Sequence, residues 1–346
     1  MRHDEGDFDV DQQVRPKGVY ETTPCCKGDF AIVNEGNGNI YSSPSMTPIP
    51  VFCDGFVYTD NGSLSFNSAT KTAGAKELKA LKSKLSTFFF EHEFEHLAVL
   101  GLALAVTHPA LAPIRPIWTI SAEAGSGKTS LLQCLQALWS SDKTVLFTTE
   151  QNDAQLISTL KTLQPNAILF DECENESYRR NIFTKVAAIA RASYNSRESD
   201  AVIRAFQSKH TSIKFQVTTV FSGIQLPQLD DATMSRCIPF KLQAPKTGLK
   251  RPAMATSLKA LQEICPKISK LLAQKAETLI RNFKVASKFL TPKMTERNRD
   301  KYSVMCAGIL FYHEVTKSGQ SPARTLDQCG DFIEELEARN AADTPD

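Results

Sequence analysis

The spacing of apolar positions changes character several times along this chain. Up to about residue 72, short alternating runs such as "GDFAIV" and "VFCDGFVYT" are separated by Gly, Ser, Asn and Pro. Alternation at period two with turn formers between predicts a small β-rich or partly irregular region behind a disordered acidic start. From Ala73 to Ala112 the period lengthens. Leu78, Leu81, Leu85 and Phe88 recur at steps of three and four, and the apolar run Leu97 to Val106 follows. That pattern predicts helix, stopped by Pro113 and Pro116.

Beyond Pro116 the pattern itself alternates. "PIWTIS", "TVLFTT", "AILFDE", "SIKFQVTTVFSGI" and "RCIPFKL" read as strands. Thr129 to Leu138, the segment holding "AQLISTLKTL" and a stretch running to about Ser193 read as helices between them. Strand and helix in turn predict an α/β fold with a parallel sheet covered on both faces. From Thr256 onward the pattern is amphipathic and helical. The expected organisation is an N-terminal region over 1–72, a helical segment over 73–116, an α/β core over 117–243, and a helical lid over 244–346 with an acidic tail.

Composition narrows the class. The 346 residues are 42% hydrophobic and 23% charged, the balance of a globular chain. The longest apolar run is about half the ~20 residues a membrane span requires, so it predicts a buried helix. Nine cysteines occur without a C-x-x-C pair and without a secretory leader, which predicts reduced thiols in a cytoplasmic protein. Net charge is only +2, yet Lys241 to Lys301 holds fifteen Lys and Arg against four Asp and Glu. A basic segment in a near-neutral chain points to a polyanion partner or to a solvated helix face.

The chemistry concentrates in "AEAGSGKTS", between a predicted strand and a predicted helix. Gly125 and Gly127 allow a tight turn whose N–H groups can face phosphates, with Ser126 between them. Lys128 supplies charge, Thr129 supplies a hydroxyl for Mg2+, and Ser130 follows at the helix N-terminus, which favours anions. Ala122 stands where the pattern carries its first glycine, at the start of the turn. The acidic half of a nucleotide site follows in "AILFDECE": Asp171 is expected to hold magnesium and Glu172 to polarise water. The pair predicts ATP hydrolysis. Ser222 and Gln225, at the end of the next strand, are candidate γ-phosphate sensors. Arg236, in the turn after them, is a candidate arginine finger reaching a neighbouring subunit.

Two further patterns compete for attention. His92-Glu93-Phe94-Glu95-His96 is formally the H-E-x-x-H of a zinc peptidase, but Glu95 brings a charge into it and no third ligand follows. Ala201 to Phe206 and Ile213 to Val217 both alternate around the polar "QSKHTS", a hairpin signal.

Taken in order, "RPIWTISAEAGSGKTSL", "TTEQNDAQLISTL", "AILFDECEN", "FSGIQLPQLDDATMSR" and "RNRDKYSVMCAGILFY" resemble the motor part of phage and prophage primase–helicase proteins. Those are AAA+-like P-loop ATPases close to superfamily III helicases, and the likeness runs from about His96 to Val315. It implies that Lys128, Thr129, Asp171 and Glu172 carry an ATPase, with Arg236 as the finger and Arg297 or Arg299 reaching nucleotide from the lid. It also implies a hairpin in the central channel of a homo-oligomeric ring, possibly a hexamer, with Lys209 and His210 at its tip on a DNA backbone. The chain departs from the family at Ala122, and at Thr149 to Gln155, where Ala154 replaces an arginine. About 90 residues before the motor are too few for a primase, so priming would fall to another protein. The expected function is a DNA helicase or translocase using ATP and Mg2+. The alternative is an AAA+ ATPase that remodels a protein partner.

Overall fold

The structure, a computed structural model, describes residues 13–15, 17–20, 26, 28–54, 56–58, 64–139, 144–147, 165–173, 177–195, 216–245 and 254–342. Its centre is a five-stranded parallel sheet. The strands are β7 (Ile117–Ala122), β8 (Thr144–Phe147), β9 (Ala167–Phe170), β10 (Thr218–Gly223) and β11 (Cys237–Leu242), and they lie side by side in the order β11-β7-β10-β9-β8. Parallel strands covered on both faces need apolar residues at every position, and β9 and β10 are buried throughout. This is an α/β core built on one parallel sheet.

Alternation still sorts the side chains between the two faces. Trp118, Ile120, Leu169, Val220, Ile238 and Phe240 join one core cluster, whereas Ile117, Ile168, Phe170, Phe221 and Cys237 join another. The first face is covered by α3 (Lys128–Trp139), with Trp118 meeting Trp139 edge-on at 5.2 Å between ring centroids. Such a pair adds about 1 kcal/mol beyond the area it buries. The second face is covered by α4 (Ser177–Tyr194) through Phe183 and Val186.

The same first-face cluster takes in helices from both flanks of the sheet. Before it come α1 (Ala75–Leu85) and α2 (Glu95–Ala105). After it, beyond the single turn α5 (Asp231–Met234), come α6 (Met254–Gln274), α7 (Ala276–Leu290), α8 (Glu296–Thr316) and α9 (Pro322–Ala342). Gly101 of α2 and Gly308 of α8 let these two helices cross with backbone against backbone. A Cβ on Gly308 would lie 1.7 Å from the Gly101 carbonyl oxygen.

Of the expected helix over Ala73 to Ala112, the structure forms α1 and α2 but breaks between them. Phe90 makes an isolated bridge to Leu242, Glu91 N–H donates to Lys241 O at 2.9 Å, and Gln243 N–H donates to Phe89 O at 2.8 Å. The segment is drawn off as a partner for the exposed edge of β11.

The N-terminal region is strand-rich, as the alternation predicts. β1 (Gln13–Arg15) pairs parallel with β6 (Phe56–Tyr58), which also pairs with β5 (Phe52–Cys53), while β2 (Gly18–Tyr20), β3 (Ala31–Gly36) and β4 (Asn39–Ser43) form an antiparallel meander. Asn37 and Gly38, both at positive φ, turn β3 into β4, the backbone a tight hairpin demands. The meander packs on Ala273 and Ala276 at the junction of α6 and α7. Beside it the Lys270 ammonium donates to the carbonyls of Asn67, Ser68 and Thr70 at 3.2, 2.7 and 2.8 Å. The eight described cysteines are all buried and unbridged. Among the described residues no helix is long and apolar enough to cross a membrane.

Candidate functional site

The glycine turn of the candidate phosphate loop grows out of the C-terminal end of β7, where an open parallel sheet presents its ligands. Ala122 closes the strand with its methyl group packed into the first-face cluster, so the side chain at this position points away from any phosphate. Gly125 and Gly127 follow at φ +75° and +94°. A Cβ on Gly125 would meet nothing within 4 Å, so glycine is required there by the left-handed backbone and not by crowding. Two such residues so close bend the chain into the kind of concavity whose N–H groups hold anions. Ser126 is buried between them, its N–H donating to Glu123 O at 3.2 Å. Leu131 N–H then donates to Gly127 O at 3.0 Å and α3 has begun. Lys128 is half-buried on its first turn and has no polar partner among the described residues, and Ser130 is half-buried beside it.

The carboxylates arrive from β9, two strands away. The Thr129 hydroxyl donates to Asp171 Oδ2 at 2.9 Å, and Asp171 Oδ1 accepts the Glu172 N–H at 3.0 Å. Asp171 is nearly buried, whereas Glu172 is exposed and sits in the left-handed region at φ +53°. A non-glycine residue there carries backbone strain of about 1 kcal/mol or more, and such strain collects at functional sites. Between the two strands runs β10. Its Ser222 is level with Ile120 of β7, and its carbonyl accepts the Cys173 N–H at 2.9 Å. The Ser222 hydroxyl is fully buried and finds no hydrogen-bond partner among the described residues. A buried unpaired hydroxyl is costly, and one on the strand beside β7 could bond a ligand oxygen. Gln225 lies beyond the strand, in solvent. A hydroxyl and a carboxylate in contact, beneath a glycine loop and a free lysine, are the oxygen donors a hard divalent cation and a polyphosphate require.

Arg236 belongs to the other end of the sheet. Its carbonyl accepts the N–H of Ile117, the first residue of β7, while the phosphate loop leaves from the last. Five residues of strand put it about 17 Å from the loop of its own chain. There its guanidinium lies 5.4 Å from the centre of the Tyr194 ring and donates to Ala232 O. Burial first, then the nearby Arg297 guanidinium, pull the pKa of Arg236 below the usual arginine value. The structure brings Arg297 to this same rim, where it donates to Ser235 Oγ at 2.9 Å and its carbonyl accepts the Tyr194 hydroxyl at 3.4 Å. Within one chain Arg297 stands beside Arg236, not over the phosphate loop. Arg299 is held by Asp300 at 2.9 Å and Glu296 at 3.5 Å. Tyr194 and Ser235 carry no motif, and the sequence offers no signal that would single them out.

Lys209 and His210, the hairpin that would carry them, and Thr149 to Gln155 lie outside the described residues. The zinc-peptidase pentad is not on one helix. His92 and Glu93 precede α2; His92 Nδ1 accepts the Phe94 N–H at 3.0 Å and its Nε2 pairs with Glu335 at 2.9 Å. Glu95 is fully buried, with Arg339 at 3.1 Å and the Lys241 N–H at 3.2 Å on its carboxylate. No group of three or more potential metal ligands occurs among the described residues.

No protein-family model matches the chain, and no curated protein matches it. Some solved structures align with it at low identity. The apo C-terminal region of NrS-1 aligns at 10% identity and a TM-score of 0.42, over 76% of this chain and 72% of that one. A JCV helicase bound to a substituted N-phenylacetamide aligns at 11% identity and a TM-score of 0.35, over 79% of this chain and 62% of that one.

Proposed function

We propose that this chain is an ATP-hydrolysing motor of the superfamily III helicase type, acting on DNA as a ring of identical subunits. The observation that carries the ATPase is the 2.9 Å contact between Thr129 and Asp171, which joins the phosphate loop to the acidic strand. Magnesium held by this pair would neutralise the charge that develops on the transferred phosphoryl oxygens. The loop N–H groups and Lys128 bind and orient the triphosphate, Glu172 takes the proton of the attacking water, and Ser222 donates to a phosphate oxygen.

A ring is favoured by the position of Arg236. Some 17 Å of strand keep it from its own loop, and a finger that cannot act in its own chain suits a neighbour's nucleotide. DNA as the track is supported by the basic run from Lys241 to Lys301 and by the pattern around Lys209 and His210. The phage or mobile-element setting, and a primase supplied by another protein, rest on the sequence resemblance.

Magnesium-dependent ATP hydrolysis by the wild type, Asp171→Asn and Arg236→Ala tests the assignment. Asp171→Asn should lose hydrolysis and magnesium dependence together. Arg236→Ala should bind ATP as tightly as the wild type and hydrolyse it roughly 10³-fold more slowly, the size of a lost finger. Normal hydrolysis by Arg236→Ala would remove the finger, and normal hydrolysis by Asp171→Asn would remove the site.

A further inference from the structure

The rim that holds Arg236 contains a second unpaired cation and a device that sets both. Among the described residues neither Arg236 nor Arg297 has a carboxylate partner. Among the described residues the Arg236 guanidinium meets the Ala232 carbonyl and the Tyr194 ring, with its Nε buried and without an acceptor, and the Arg297 guanidinium meets the Ser235 hydroxyl. The carboxylates nearby are already engaged. Asp230 is paired with Arg191 at 3.0 Å and caps α5 by accepting the Thr233 N–H, and Asp300 is paired with Arg299 at 2.9 Å. Two guanidiniums brought together by adjacent anchors, with Asp230 and Asp300 each paired to another arginine, repel one another until an anion bridges them.

We infer that Arg236 and Arg297 form one two-guanidinium clamp for the terminal phosphate of a nucleotide bound by a second copy of the chain, with Tyr194 as its positioning residue. Tyr194 is buried at the end of α4 and works on both arginines at once. Its ring carries the Arg236 guanidinium, and its hydroxyl holds the backbone of Arg297. The lowered pKa of Arg236, which owes part of its shift to Arg297, accords with two charges in mutual reach. This assignment rests on the proposed ATPase and extends it, because it moves Arg297 from its own chain's nucleotide to the neighbour's.

Steady-state ATP hydrolysis, nucleotide binding followed with a fluorescent ATP analogue, and mixing of variants test it together. Arg297→Ala should bind the analogue like the wild type and lower kcat by about 10- to 100-fold, with KM little changed. Groups acting as a unit are not additive, so Arg236→Ala/Arg297→Ala should be no more than a few-fold slower than Arg236→Ala alone. Mixing Arg297→Ala with Lys128→Ala should raise hydrolysis above the sum of the two alone, since intact loops then meet intact arginines across subunits. Tyr194→Phe, which keeps the ring, should retain most of kcat, whereas Tyr194→Leu should fall to the level of Arg236→Ala with analogue binding intact.

Mixtures no faster than the sum of the two variants, while the wild type hydrolyses, would put Arg297 in its own chain or nowhere, and overturn the clamp. Equal kcat for Arg297→Ala and the wild type would do the same. Weakened DNA binding by Arg297→Ala with unchanged DNA-free hydrolysis would assign its phosphate to nucleic acid, which also overturns it. Wild-type protein that binds no analogue would instead sink the nucleotide site itself, and with it the clamp's ligand.

Discussion

The backbone crossing of α2 and α8 sets a sharp test of the fold. Gly308→Ala would place its Cβ 1.7 Å from the carbonyl oxygen and 2.5 Å from the carbonyl carbon of Gly101. Both atoms are backbone, so no side chain can swing aside, and α2 and α8 must part by roughly 1.5 Å. A gap of that size forfeits half or more of the dispersion energy of the atoms that face it. These helices are buried along their contact, with Val99, Leu102, Met305 and Ile309 at or near zero exposure. Overpacking of this kind costs about 3 kcal/mol, the top of its usual range, and the gain from replacing a helical glycine by alanine returns about 1 kcal/mol. The expected net loss is about 2 kcal/mol.

Gly330→Ala is the matched control. It too lies in a helix, α9, but its Cβ would meet the tip of Lys293 at 3.3 Å, a flexible and exposed side chain. That variant should be neutral or more stable by up to about 1 kcal/mol. Urea unfolding followed by far-UV circular dichroism measures both. Equal midpoints for Gly308→Ala and Gly330→Ala would refute the backbone-to-backbone crossing.

Three further outcomes follow from particular contacts. Lys270→Met keeps the stem but leaves the carbonyls of Asn67, Ser68 and Thr70 without their cation, so limited proteolysis should release the N-terminal region faster than in the wild type; an unchanged cleavage rate would show that the three bonds do not hold it. Asp230 has its carboxyl pKa lowered chiefly by the Thr233 N–H, so its share of stability is present above the unfolded value of 3.8 and is lost as pH falls through the lower folded value. Asp230→Ala should therefore cost about 1 kcal/mol near neutrality, as a lost cap does, and its stability should converge with the wild type as the pH falls below 3.8; a constant gap would exclude the ionised cap. Glu172→Gln should bind ATP and lose hydrolysis by about 10²-fold or more, and single-turnover rates equal to wild type would remove it as the base.

The sheet and the glycine turn were legible because their signals are local. Buried strands of four to six residues, glycines at a left-handed turn and a carboxylate at a strand end are each written in a few consecutive positions. What escaped depends on partners far away in the chain. "FFFEHEF" looks helical by periodicity, yet Phe89 to Glu91 leave the helix to pair with the edge of β11, some 150 residues on. Gly101 and Gly308 are unremarkable singly and meaningful only as a crossing. Arg297 could be placed by resemblance above its own nucleotide, but its contacts with Ser235 and Tyr194 set it at the far rim. Tyr194 ends an amphipathic helix, where an aromatic residue reads as core, and only the guanidinium on its face marks it out.

Coupling of ATP hydrolysis to DNA is tested by the ATPase rate of the purified protein with and without single-stranded DNA, for the wild type and for Lys209→Ala/His210→Ala. DNA should stimulate the wild type strongly, less so at high salt as backbone contacts require, and should not stimulate the double variant. Hydrolysis that ignores DNA in both proteins would contradict the motor reading and leave an ATPase that works on a protein partner.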